Sequence, residues 1–254
     1  MAAIRVIPCL DMKDGRVVKG VHFVNLRDAA DPVEAAQAYS QGGADEIAFL
    51  DITATVEGRR TMFEVLRKVT AAVTVPVTVG GGVKSLADVE EALASGASCV
   101  SISSAAFRDP VFVREAVARF GSAKVMVAID ADRNDSLPST REVYIDGGRT
   151  PTGRDAIAFA REMADLGAGQ ILPTSKATDG ALTGYDIPLT RGIADATGLP
   201  VIASGGAGKL EHFLQAATEG HAAAVLAASV FHFGNFTVRE VKEYLRDKGV
   251  EVNL

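Results

Sequence analysis

The sequence predicts a single-domain α/β protein, a (β/α)8 TIM barrel with a two-fold internal half-barrel repeat. Short runs rich in β-branched residues alternate with amphipathic, alanine-rich segments along all 254 residues, which is typical of successive βα units around a parallel sheet. An aspartate also ends an apolar run in each half, at Asp11 and Asp130, and similar glycine and small-residue motifs follow each one. We therefore predict half-barrels of about residues 1–122 and 123–254.

Eight predicted strands and eight predicted helices make up the barrel. The strands are expected near Ile4–Leu10, Glu46–Asp51, Val75–Val79, Cys99–Ser103, Lys124–Asp130, Gln170–Thr174, Pro200–Ser204 and Ala223–Ala227. Helical spacing of apolar residues is found over Pro32–Gln41, Arg60–Ala72, Leu86–Ser95, Val111–Phe120, Arg154–Leu166, Pro188–Thr197, Leu210–Glu219 and Val238–Lys248. Asp31, Ser85 and Asp109 are predicted to cap helix N-termini. In such a barrel the reactive side chains lie at the C-terminal ends of the strands.

Two connections are longer than the regular spacing. Residues Lys13–Ala30 follow the first strand and are rich in Gly, Arg, Lys and Asn, so we expect a mobile lid over the barrel mouth. Residues Ala131–Gly153 follow the fifth strand and contain an alternating segment, Glu142–Ile145, that runs into the turn residues Asp146–Gly148. This second connection is predicted to form a small β-hairpin.

Composition excludes several classes of function. A net charge of −6 and a pI near 5.3 disfavour binding to nucleic acid or to an anionic membrane through bulk charge. No apolar run is long enough to span a membrane and no signal-type leader precedes Arg5, so we expect a cytoplasmic protein. Cys9 and Cys99 are too few for a disulfide framework or a zinc site and are expected to be core thiols. We predict no metal ion and no organic cofactor.

Asp11 and Asp130 are the first candidates for chemistry. Each ends an apolar strand, and their equivalent places in the two halves put them across the mouth from one another. Two opposed carboxylates in environments of different polarity can divide the roles of acid and base. The alternative is that each aspartate only caps the loop behind it. Asp51 ends a neighbouring strand and is a candidate for orienting a substrate.

Glycine-rich strand ends predict two phosphate sites, since such turns direct backbone N–H groups outward. The first nest comprises Gly80, Gly81, Gly82, Ser103 and Ser104, and the second nest comprises Gly205, Gly206, Ala228 and Ser229. The alternative is tight turns that bind nothing. Two nests flanking two carboxylates indicate a substrate with a phosphate at each end. Lys19, in the first long connection, can reach the mouth as a point charge for a phosphate or remain a solvated lysine.

Several runs of residues are shared with a known family. They are Ile7–Asp11, Gly15–Gly20, Asn25–Asp28, Phe49–Ala54, Thr78–Gly82, Val127–Ala131, Ile202–Gly208 and Leu226–Phe233. Over almost its whole length the chain resembles the cyclase subunit of imidazole glycerol phosphate synthase, an enzyme of histidine biosynthesis. The related sugar isomerase of the same pathway shares the duplicated barrel, but not the Asn25–Asp28 run or the Phe231–Phe233 end.

The resemblance implies a lyase and cyclase that converts a bisphosphorylated formimino-aminoimidazole carboxamide ribonucleotide to imidazole glycerol phosphate and aminoimidazole carboxamide ribotide. Ammonia would come from a separate glutaminase subunit docked on the bottom face of the barrel. By this similarity Asp11 and Asp130 are the acid/base pair. The residues that would hold the substrate and its phosphates are Lys19, Gly82, Ser104, Asp179, Gly180, Gly206 and Ser229.

The sequence departs from that family at several of these places. Ser103 and Ser104 stand where an Asn-Thr pair is usual, and the loop after the sixth strand carries Lys176 in place of the usual residues before Asp179. Pro173 removes a backbone donor from this strand, so we expect local distortion.

The bottom face departs as well. The family closes its ammonia entrance with a ring of an arginine, glutamates and a lysine. Arg5 and Glu46 are kept, but Cys99 and Gln170 replace the lysine and the second glutamate, and Ser98 replaces an acidic residue. Half of the charge pairs of that ring are therefore missing, which leaves docking of the glutaminase open.

Two alternatives to the cyclase remain. A desolvated Lys176 at the end of the sixth strand can form a Schiff base with a carbonyl substrate, which would indicate an aldolase-type lyase. The simpler reading of Lys176 is a solvated loop residue. A barrel that only binds a phosphorylated metabolite or a protein partner is the third hypothesis, although the presence of both aspartates argues against it.

Overall fold

Strands of this chain form one continuous sheet in the computed structural model, which describes residues 3–21, 24–57 and 61–254. The strands, in chain order, are β1 (Arg5–Lys13), β2 (Arg16–Val21), β3 (Val24–Ala30), β4 (Ile47–Asp51), β5 (Val77–Gly80), β6 (Cys99–Ile102), β7 (Val125–Arg133), β8 (Arg141–Ile145), β9 (Thr150–Asp155), β10 (Gln170–Ser175), β11 (Ile202–Ser204) and β12 (Ala224–Ala227). Eight of them pair in parallel as a ring in the order β1, β4, β5, β6, β7, β10, β11 and β12, with β12 pairing back onto β1. The predicted (β/α)8 barrel is confirmed.

Helices follow the barrel strands on the outside. They are α1 (Pro32–Gln41), α2 (Ala54–Glu57), α3 (Phe63–Ala72), α4 (Leu86–Ala94), α5 (Ser104–Arg108), α6 (Pro110–Phe120), α7 (Ala156–Asp165), α8 (Ile187–Thr197), α9 (Leu210–Thr218), α10 (Ser229–His232) and α11 (Val238–Asp247). The three predicted N-caps are confirmed, because the side chains of Asp31, Ser85 and Asp109 each accept a backbone N–H from the first turn of their helices. The short helices α2, α5 and α10 were not predicted, and each lies directly after a barrel strand.

The barrel strands are buried on both faces, which is usual for a parallel sheet covered by helices. In β1, Val6 and Leu10 pack outward against the helices, while Ile7 and Cys9 point into the barrel interior. Cys99 shares that interior, so both cysteines are buried thiols outside any disulfide, as predicted. No helix among the residues described here combines the length and the apolar character needed to cross a membrane.

Both long connections are β-hairpins that extend a barrel strand. The connection Lys13–Ala30 contains two strands, since β2 pairs antiparallel with the end of β1 and β3 pairs with β2. Its role as a lid over the mouth stays a prediction. This segment contains Val17, Val18, Val21 and Val24, and β-branched residues favour a strand over an irregular loop. In the second connection β8 pairs antiparallel with the end of β7, and β9 pairs with β8, so the predicted hairpin is confirmed.

The distortion expected at Pro173 affects only one side of β10. The pairing with β7 runs without a break from Gln170 to Ser175. The pairing with β11 is reduced to the bridges Ile171–Val201 and Thr174–Ser204, which lie on either side of Pro173. The missing N–H of the proline therefore weakens the contact with β11 and leaves the rest of the barrel regular.

At the bottom of the barrel, residues near the C-terminus pair beside the start of β1. Ile4 bridges to Val252, and its N–H donates to the carbonyl oxygen of Glu251 over 2.8 Å. Beneath this contact, the buried Lys242 ammonium lies 2.9 Å from the carboxylate of Asp45. These contacts hold the end of the chain against β1.

Candidate active site

A cavity of about 150 Å³ opens at the C-terminal ends of the barrel strands. The predicted site residues that line it are Asp11, Gly80, Gly81, Ser103, Ser104, Asp130, Asp179, Gly180, Gly205, Gly206, Ala228 and Ser229. Asp51 lines it too, although its carboxylate also accepts the N–H of Ala54 and so caps the turn behind it. The fold thus brings two strand-end aspartates and parts of both nests to one mouth, as the sequence predicts.

Asp11 lies in β1 and is held by a neighbour on the same face of that strand. The Cys9 thiol donates a hydrogen bond to Asp11 Oδ1 over 3.1 Å. Cys9 also lines the cavity, so it contacts the candidate carboxylate as well as filling the interior. Sequence reasoning missed this contact, although the i, i+2 spacing of the two residues in a strand was a usable signal.

Tyr39 is a second neighbour of this carboxylate. Burial raises the pKa of the Tyr39 phenol, and the nearby Cys9 and Asp11 raise it further. Its hydroxyl lies 2.6 Å from Nδ1 of His232, which links α1 to the Phe231–Phe233 end of α10. The phenol is therefore protonated at neutral pH, next to the Asp11 side of the mouth.

Asp130 lies in β7, opposite Thr174 of β10. Its side chain reaches the cavity but is otherwise enclosed by protein, and this burial raises the pKa of the carboxyl to about 7. The negative charge of Asp179 raises the pKa further, whereas the positive charge of Lys176 lowers it. Near neutral pH Asp130 is accordingly able to give up or to take a proton.

The first nest is shaped by a glycine that no other residue can replace without rearrangement. Gly81 has a φ of +89°, and a Cβ there would lie 2.0 Å from the backbone oxygen of Asp51. The N–H of Gly82 is not free, since it donates to Thr55 Oγ1 across 3.3 Å. Ser104 Oγ accepts the N–H of Asp146 at 2.9 Å, which leaves the Ser104 hydroxyl proton available for an anion.

The second nest is supported by the loop that follows β10. Gly206 has a φ of +107°, and a Cβ there would lie 2.1 Å from the backbone oxygen of Gly184. The Gly184 N–H donates to the Gly206 oxygen over 2.8 Å, and Thr178 Oγ1 donates to the Gly205 oxygen over 3.1 Å. Asp179 packs against Gly205 from the same loop.

The structure describes the side chain of one of the two candidate lysines, Lys176. Lys176 is not among the residues that line the mouth cavity. Its ammonium lies 3.7 Å from the centre of the Tyr144 ring and 3.5 Å from the carboxylate of Asp132, on the β7–β8 hairpin. The side chain of Lys19 lies outside the described residues.

A second cavity of about 290 Å³ adjoins the first nest. Gly82, Ser103 and Ser104 line it, so the predicted Gly82 lies here rather than in the mouth cavity. Lys84 and Arg108 line it as well and bring two basic residues beside the nest. The sequence analysis did not select these two residues, because neither belongs to a glycine or serine motif.

The residues expected at the ammonia entrance form one layer at the opposite end of the barrel. Arg5 donates to Glu46 over 2.6 Å and to the amide oxygen of Gln170 over 2.7 Å. Burial, and then the charge of Glu46, raises the pKa of the Cys99 thiol to about 12, so this thiol is neutral. The layer therefore contains one ion pair, between Arg5 and Glu46. Its other members are the amide of Gln170 and the uncharged thiol of Cys99.

The side chains that line the mouth cavity can transfer protons to and from a bound substrate. Four aspartates line this cavity, of which Asp130 has a pKa near neutrality, and hydroxyl and backbone N–H donors surround it. Within the parts of the chain that the structure describes, no three His, Cys, Asp or Glu side chains are grouped to hold a metal ion.

A comparison with known protein families matches residues 5–237 to the family described as histidine biosynthesis protein. The match covers the whole barrel from β1 to β12. Members of this family are enzymes of histidine biosynthesis, and the closed barrel described above fits them. The chain belongs to the histidine biosynthesis protein family and is a (β/α)8-barrel enzyme of that pathway.

Proposed function

We propose that this enzyme is the cyclase of the pathway, a lyase that uses ammonia to convert a bisphosphorylated formimino-aminoimidazole carboxamide ribonucleotide to imidazole glycerol phosphate. The second product is the aminoimidazole carboxamide ribotide. The observation that carries the proposal is that Asp11 and Asp130 line one cavity, together with residues of both nests. A substrate with a phosphate at each end would have its reacting atoms between the two carboxylates.

The roles proposed for the two carboxylates follow from their surroundings. Asp130, with a pKa of about 7, exchanges protons with the substrate as ammonia adds and the imidazole ring closes. Asp11, oriented by the Cys9 thiol, serves as the second acid/base group. The hydroxyls of Ser104 and Ser229 and the backbone N–H groups of the nests bind the phosphates.

The proposal is tested by supplying the substrate, the ribulosyl form of the bisphosphorylated nucleotide, with excess ammonium salt at alkaline pH and following the absorbance change. Ammonium replaces the glutaminase, so the purified chain alone should turn the substrate over. Asp11→Asn and Asp130→Asn should each lower kcat at least 100-fold, whereas Asp135→Asn on an exposed loop should leave it unchanged. No turnover by the wild type, or full activity in both site variants, would refute the cyclase.

The same preparation distinguishes the cyclase from the isomerase of the family. The isomerase converts the ribosyl form of the nucleotide to the ribulosyl form without ammonia. We expect product from the ribulosyl substrate only when ammonium is present, and no consumption of the ribosyl form. Turnover of the ribosyl form without ammonium would identify the isomerase instead.

We also propose that a glutaminase subunit docks at the bottom face and delivers ammonia there. The support is the Arg5, Glu46 and Gln170 layer, which lies at the end of the barrel remote from the mouth. Glutamine should then replace ammonium only when a glutaminase subunit is added. The aldolase-type and purely binding alternatives gain no support from the position of Lys176, whose ammonium is held over Tyr144.

A further inference from the structure

A short chain of hydrogen bonds connects Arg108 to the first nest. The N–H of Asp146, at the tip of the β8–β9 hairpin, donates to Ser104 Oγ over 2.9 Å. The carboxylate of the same residue accepts from Arg108 Nη2 over 2.6 Å. One residue therefore separates the guanidinium from the nest hydroxyl, and Arg108 and Ser104 line the same cavity of about 290 Å³.

The two nests differ in the basic side chains that lie beside them. Lys84 and Arg108 line the cavity at the first nest, whereas no lysine or arginine is among the described residues that line the mouth cavity at the second. A guanidinium has five N–H donors, and its fork matches the oxygens of a phosphate. The bond to Asp146 uses one Nη atom of an Arg108 side chain that is half exposed.

We propose that Arg108 is a phosphate-binding residue of the first nest. Asp146 is the counter-ion that an incoming phosphate displaces from the Arg108 guanidinium. This inference rests on the phosphate role proposed above for the first nest. When a phosphate monoester enters beside Gly82 and Ser104, its oxygens replace the Asp146 carboxylate on the guanidinium. The contact adds charge to a nest whose serine side chains are short.

Inorganic phosphate is the probe, because it reports on both nests without requiring turnover. We would titrate it into 15N-labelled protein and follow the amide signals of Gly82 and Ser104 separately from those of Gly206 and Ser229. Arg108→Gln should weaken binding at the first pair about fivefold, the upper effect of an exposed ion pair, and leave the second pair unchanged. Arg119→Gln is the matched control, since Arg119 is equally exposed and ion-paired but lines neither cavity.

Asp146→Asn separates direct binding from a structural role of the Arg108–Asp146 pair. This variant keeps the backbone N–H that contacts Ser104 and removes only the competing charge. Phosphate affinity at the first nest should therefore equal or exceed that of the wild type. An equal loss in Asp146→Asn and Arg108→Gln would overturn the proposal, as would unchanged affinity in Arg108→Gln or no phosphate response at Gly82 and Ser104 in the wild type.

The outcome is separable from that of the proposed function. With the bisphosphorylated substrate, Arg108→Gln should raise KM about fivefold at unchanged kcat, because phosphate binding is remote from the reacting atoms. If the wild type shows no turnover, the cyclase proposal fails, while the phosphate titration still decides the role of Arg108.

Discussion

Replacing Asp130 by asparagine should stabilise the protein at alkaline pH. The pKa of this carboxyl rises from 3.8 to about 7 on folding, so the folded state keeps a proton that the unfolded state loses. The stabilisation from that proton is complete below about pH 4 and is lost as the pH rises through 7. A shift of roughly three pKa units corresponds to a ceiling of about 4 kcal/mol. Since water in the cavity reaches Asp130, we expect about 2 kcal/mol between pH 5 and pH 8.

The assay is urea denaturation of the wild type, Asp130→Asn and Asp135→Asn at both pH values. The asparagine at position 130 should increase the free energy of unfolding by about 2 kcal/mol more at pH 8 than at pH 5. Asp135 is an exposed loop carboxylate, so its variant should show no such difference. If Asp130→Asn changes stability equally at both pH values, the carboxyl is not buried as described and the reasoning fails.

The titration of the same carboxyl can be followed directly by 13C NMR. Asp179→Asn removes a negative neighbour and should lower the pKa of Asp130, whereas Lys176→Met removes a positive one and should raise it. Shifts in the opposite directions would show that these two side chains do not set the environment of Asp130.

Two sets of variants test the local geometry of the mouth, and a third variant tests the bottom of the barrel. Gly81→Ala should cost at least about 2 kcal/mol of unfolding free energy more than Gly121→Ala, because both glycines have a φ of +89° but only Gly81 lies against backbone. Equal costs by thermal denaturation would contradict the clash. Cys9→Ala removes one hydrogen bond to the Asp11 carboxylate and should lower kcat about three- to tenfold with KM unchanged in the ammonium assay, a split that mere loosening of the core would not produce. Lys242→Met removes the cation paired with the buried Asp45 carboxylate and should cost about 3 kcal/mol by urea denaturation, so a neutral result would show that this ion pair is dispensable.

The sequence predicts most of the fold because the barrel is built from local signals. Each strand is a short apolar run, and the caps at Asp31, Ser85 and Asp109 mark helix starts within a residue. α1 matches its predicted range, Pro32–Gln41, because a capping aspartate and a proline start it and Gly42 ends it. The positions of Asp11 and Asp130 at the mouth follow from the rule that strand ends carry reactive groups.

The features that sequence reasoning missed depend on contacts between distant parts of the chain. The strands β2 and β3 were not predicted, because the charged and glycine residues of this segment resemble a loop. Their pairing depends on the extended end of β1, which the local sequence does not show. Arg108 has no motif of its own and becomes informative only when the hairpin tip at Asp146 reaches it. The interruption at Pro173 was predicted, but its side was not, because the orientation of the missing donor depends on the barrel register.

Closure of the ring between β1 and β12 has a consequence for how the protein folds. One side of β1 pairs with β4, which follows soon after it, but the other side pairs with β12 near the far end of the sequence. During synthesis the edge of β1 that pairs with β12 therefore stays unpaired while the intervening strands emerge from the ribosome. Unpaired strand edges promote association with other chains. Refolding should accordingly pass through an open-sheet intermediate, with the Arg5–Ala224 pairing among the last contacts to form.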